Sequence, residues 1–137
     1  MDNRRINENY QAIAQELIET EDALIDIKNS NVQIIFLSSE HKKQTKNSII
    51  FGVCERVQDK NKWAIPADFT ITVFEPNVVD FTEDQIKILL FHELLHVGIE
   101  FKDGFETYSC KPHDLEDFKY IIDRFGTDWE SEGVWKY

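Results

Sequence analysis

Two cysteines, Cys54 and Cys110, are too few for a disulfide framework, so the fold has to rest on a buried apolar core. A reduced, cytoplasmic setting is the expectation that follows. Long apolar runs are missing as well. No stretch approaches the length of a membrane span, and the opening Met1-Asp2-Asn3-Arg4-Arg5-Ile6-Asn7 has no apolar signal region behind it. Basic charge is scarce: 15 Lys plus Arg stand against 26 Asp plus Glu, a formal net charge of -11. Binding to phosphates needs a basic face, so the expectation is no nucleic acid and no membrane among the partners. The acidity reads as a solubility device. Five glycines and three prolines supply no linker, and no internal repeat divides the chain. Its 137 residues are expected to form a single domain spanning residues 1–137.

What is present is a series of well-marked elements. From Arg4 to Lys28, apolar residues at Ile6, Tyr10, Ile13, Leu17 and Leu24 recur at helical spacing, which predicts one amphipathic helix or two short ones. Val32 to Leu37 reads as a buried strand, and Ser38 to Ser48 as a solvated loop with Lys42, Lys43 and Lys46. Ile49 to Val57 predicts a second strand, and Phe69-Thr70-Ile71-Thr72-Val73-Phe74 a third, on β-branched and aromatic content. Thr82 with Gln85 three residues later forms a capping box, and Glu83 and Asp84 suit the positive end of a helix. That helix is expected to run from Glu83 to Val97, with Gly98 as its stop. Asp103-Gly104 predicts a tight hairpin between Ile99-Glu100-Phe101 and Phe105 to Cys110. Asp114 then caps a last helix with Leu115, Phe118, Ile121, Ile122 and Phe125 as its apolar face. The sum is an α+β fold: an N-terminal helix, a small and mainly antiparallel sheet, a central helix, a short hairpin and a C-terminal helix.

The chemistry concentrates at His92-Glu93-Leu94-Leu95-His96, in the second half of the central helix. Side chains four apart lie on one helical face, so both imidazoles can reach a single metal ion, and Glu93 can take a proton from water beside it. Two histidines and a carboxylate buried without a ligand would be costly, which disfavours a purely structural role. A catalytic zinc site commonly has three protein ligands and one open position. His113, at the mouth of the last helix, is the expected third ligand. Glu116 is the alternative, and Cys110 a weaker one. The longer metzincin pattern fails, because it needs Gly and His where this chain has Ile99 and Lys102. On this reading Zn2+ held by His92, His96 and His113 activates water, with Glu93 as general base. Phe69 to Phe74 is expected to offer a backbone edge to an extended peptide. Tyr108 is a candidate oxyanion donor, though a plain packed tyrosine is the simpler reading.

The order Phe69 to Val73, Thr82-Glu83-Asp84-Gln85, His92 to His96, and Lys111-Pro112-His113-Asp114-Leu115-Glu116-Asp117-Phe118 resembles the phage metallopeptidase family. Asp123-Arg124-Phe125-Gly126 and Trp129 extend the likeness over most of the chain. More distantly the layout is similar to SprT-like zincins, which also place a histidine at the start of a later helix. The resemblance implies a compact zincin-like fold, His92, His96 and His113 as zinc ligands, and Glu93 as base. The SprT-like zinc ribbon is missing, so DNA-linked substrates are not carried over. Peptide or protein substrates are expected. The competing expectations are a metal-binding interaction module without turnover and a zinc hydrolase of non-peptide amides.

Overall fold

The computed structural model describes residues 4–45, 49–111, 121, 124–125, 129–132 and 135. It is an α+β fold with a four-stranded sheet and a separate two-stranded hairpin. Among the described residues, no helix is long and apolar enough to cross a membrane.

The chain opens with strand β1 (Arg4–Ile6) and helix α1 (Glu8–Thr20). A three-ten turn at Asp22–Leu24 leads to the short helix α2 (Ile25–Lys28). The expected helical start at Arg4 is therefore corrected. Asn7 begins the helix instead, its side chain accepting from the Tyr10 amide at 3.0 Å, while its own amide donates to the Phe36 carbonyl at 2.9 Å. Arg4 is held in the sheet by Glu55 at 3.0 Å and Thr72 Oγ1 at 3.1 Å. Those partners are distant in sequence, which is why local periodicity extends the helix too far.

Strand β2 (Ile34–Ser39) runs antiparallel to β1 and parallel to β4 (Phe69–Phe74). Strand β3 (Gly52–Arg56) lies antiparallel to β4 on its other side, giving the order β1-β2-β4-β3. Two of these three pairings are antiparallel. Every residue of β4 is buried, as a central strand requires. Side chains alternate, so Phe69, Ile71 and Val73 look into the core beside α1 and the central helix.

Helix α3 (Glu83–Leu95) starts at the predicted capping box: Gln85 N–H donates to Thr82 Oγ1 at 3.2 Å, and Thr82 N–H to Gln85 Oε1 at 2.8 Å. Its end differs from expectation. His96 is the last helical turn's cap, and Val97 and Gly98 already belong to β5 (Val97–Lys102). Gly98 acts in the strand rather than as a helix stop. A Cβ there would come within 2.7 Å of the Ser109 carbonyl oxygen, so glycine lets β6 (Phe105–Cys110) approach. Asp103 and Gly104 make the turn with φ of 52° and 81°, the left-handed pair that matches strand twist.

The predicted helix from Asp114 falls mostly outside the described residues. Of its apolar face, Ile121 and Phe125 are helical and buried in the core. Helix α4 (Trp129–Glu132) follows, tied to α3 by Gln85 Nε2 donating to the Glu130 carbonyl at 2.9 Å. Arg124 forks onto the Glu21 carboxylate, joining this C-terminal segment to the end of α1.

Candidate metal centre

Every residue from Ile88 to Leu95 is buried, so the second half of α3 has no solvent face. Such a helix should be apolar all round. His92 and Glu93 break that rule at 9 % and 4 % exposure. One donor atom from each of His92, Glu93 and His96 fits within 4.8 Å of the others. His92 Nε2 and Glu93 Oε2 are 3.9 Å apart, and the two imidazole centroids 5.2 Å apart. Trp129 on α4 backs the His92 ring with centroids 6.1 Å apart.

The orientation of His96 is fixed by the chain beyond the hairpin. Its Nδ1 lies 2.6 Å from the Lys111 carbonyl oxygen, and the Lys111 amide donates to the His96 carbonyl at 2.6 Å. A carbonyl oxygen can only accept, so Nδ1 carries the proton and Nε2 presents its lone pair. This is the arrangement that outer-sphere carbonyls commonly impose on a metal-binding histidine.

Glu93 lies against the sheet at Gly52, the first residue of β3. A Cβ at Gly52 would meet Glu93 Oε2 at 3.3 Å, Glu93 Cγ at 3.5 Å and the Thr72 carbonyl oxygen at 3.1 Å. The bare glycine therefore makes the cradle for the carboxylate. The Glu93 charge also reaches Cys54, two residues along the same strand face, whose thiol pKa is pushed up first by burial, then by the Cys110 thiol and Glu93.

A divalent metal suits this donor set. Two imidazoles one helical turn apart, one with its tautomer fixed, supply the nitrogens, and a buried carboxylate stands beside them. His113 and Glu116, the two expected choices for a third ligand, lie outside the described residues.

Tyr108 is placed elsewhere. Its hydroxyl donates to Glu106 Oε1 at 2.7 Å, while its ring packs on Phe69 and under Arg56. Burial first, then the Glu106 hydrogen bond, pushes its pKa up to about 12. The expected substrate edge is corrected too. Both edges of β4 are paired, with β2 and β3, so Phe69 to Phe74 has no open backbone to offer. The strands at the sheet edges are β1 and β3, and β3 is the one that cradles Glu93.

Sequence reading missed Gly52 and Lys111. A lone glycine opening a strand is a usable sign of close backbone approach. Lys111 acts through its backbone carbonyl, and no side-chain pattern announces that.

The family model described as "Putative phage metallopeptidase" matches residues 4–134. No curated protein and no solved structure matches the chain.

Proposed function

The chain belongs to the phage metallopeptidase family, and from that premise we propose that it is a zinc-dependent peptidase in which His92, His96 and His113 hold the metal and Glu93 is the general base. The observation that carries this reading is the buried trio of donors on α3, with Glu93 seated on Gly52 beside the two imidazoles. Zinc, when bound, supplies Lewis acidity toward water and a carbonyl group. Glu93 takes the proton from the attacking water and hands it to the leaving amine. Its position is set by the Gly52 cradle, so little reorganisation accompanies the proton transfer. The Lys111 carbonyl keeps His96 in the tautomer that ligation needs.

Chain length supports His113 as third ligand. Lys111 is hydrogen-bonded to His96 twice, and two residues of chain reach no farther than about 7 Å. Glu116 remains the alternative, with an allowed reach of about 18 Å. Edge strand β3 is the element on which an extended peptide can add its own backbone hydrogen bonds. The proposed setting is the cytoplasm, a reducing compartment that suits the free Cys54 and Cys110.

The test is digestion of an unbiased peptide library by zinc-loaded protein. Cleavage that a chelator stops and zinc restores is the expected result, with about one zinc per chain. A loaded protein that cuts nothing would instead favour a binding module without turnover. Loss of zinc in His113→Ala but not in Glu116→Ala identifies the third ligand.

A further inference from the structure

Beyond the metal centre, the same face of β3 carries a second reactive pair. Gly52, Cys54 and Arg56 alternate with Val53 and Glu55, so they share the side that looks toward α3 and β6. Glu93 lies on Gly52, Cys110 on Cys54, and Tyr108 on Arg56. The strands β3 and β6 belong to different sheets. Side chains join them: Arg56 Nε donates to the Tyr108 carbonyl at 3.4 Å, and the Cys110 thiol to the Cys54 carbonyl at 3.6 Å. The Cys110 sulfur therefore lies against Cys54, 3.6 Å from its carbonyl oxygen. Cys110 is exposed and Cys54 half-buried behind it.

We propose that Cys54 and Cys110 form an internal disulfide when the folded protein meets a small-molecule disulfide oxidant. Exposed Cys110, as its thiolate, attacks the oxidant, joins one half and releases the other as a thiolate, which takes up the proton that Cys110 lost to solvent. Cys54 then attacks the Cys110 sulfur, and its proton goes to the departing second half. Two protein thiols and one oxidant disulfide become one protein disulfide and two small thiols. An external reductant reaches the exposed Cys110 sulfur and expels Cys54, the half-buried partner. The crosslink would tether the strand that cradles Glu93 to the residue preceding Lys111, the partner of His96.

Oxidised glutathione added to the full chain tests this, with intact mass and a non-reducing peptide map as readouts. The expected product is a monomer lighter by two hydrogen atoms, with one peptide pair joining Cys54 to Cys110. Cys54→Ser should instead accumulate a glutathione adduct on Cys110, and Cys110→Ser should leave Cys54 almost unmodified. Crosslinking should run at least about tenfold faster in the folded protein than in urea, because the fold raises the local thiol concentration. A stable adduct on Cys110 in the unsubstituted protein, a Cys110-linked dimer, or equal rates in buffer and urea would overturn the proposal. None of these readouts depends on peptidase activity.

Discussion

Helices α1 and α3 have the same length, 13 residues, and they pack on one another, yet they bury their side chains in different ways. Helix α1 buries Tyr10, Ala14 and Leu17 as a single stripe, while Glu8, Gln11, Gln15 and Glu16 meet solvent. Helix α3 is buried all round from Ile88 onward and carries His92 and Glu93 into that interior. A polar residue on α1 has water to satisfy it. One on the second half of α3 has only the protein and whatever the protein binds. The difference separates a scaffold helix from a site helix more clearly than the five-residue motif does.

Substitutions can break the comparison. The largest expected effect is at Glu93→Gln, which keeps shape and burial but removes the proposed base. Cleavage should fall by about 10³- to 10⁴-fold while zinc content stays near one per chain. Metal analysis alongside initial rates checks both halves, and an active variant would return Glu93 to a structural role. On the scaffold side, Leu17→Ala opens a cavity beneath α1 and should cost about 3 kcal/mol in denaturant unfolding. The rate per folded molecule should not change. A loss of turnover at full folding would mean that α1 shapes the site.

Gly52→Ala probes the link between sheet and site. Its methyl carbon would crowd both the Thr72 carbonyl and Glu93 Oε2, pushing the carboxylate by a few tenths of an ångström. A rate loss of about tenfold with retained zinc is expected, since small misplacements of a reacting group are costly. The gentlest effect is alkaline. In the fold, burial raises Cys54 and Tyr10 above their ordinary values of 9.0 and 10.0, and Glu75 raises Tyr10 further. Above those values the unfolded chain has released protons that the folded chain still holds, so stability falls as pH rises. The slope is about 1.4 kcal/mol per pH unit for each group, starting near pH 9 for Cys54 and near pH 10 for Tyr10. Denaturant midpoints from about pH 8 to about pH 11 measure it, and Tyr10→Phe should shrink the later part to the share of Tyr108, which burial raises as well.

Much of this architecture is written locally. Phe69–Phe74 is a strand by composition, and the Thr82–Gln85 box starts α3 where capping chemistry says it should. Asp103-Gly104 turns the hairpin as its left-handed preference dictates. His92, Glu93 and His96 come together because one helix carries them at the right period. Reading failed where the cause is remote. Arg4 pairs across the sheet with Thr72, and no neighbouring residue signals that. Gly98 looked like a helix stop, although its partner is Ser109 across the hairpin.

The sequence alone thus determined the helix that carries the motif, its starting point, and the face that both imidazoles share, because these depend on interactions within about one turn. Only the tertiary structure decided that Glu93 would lie on Gly52, that Lys111 would orient His96, and that β3 rather than β4 would lie at an edge. Those outcomes depend on which backbones meet. Backbone atoms are the same in every residue, so strand order and a carbonyl's direction leave little trace in side-chain identity.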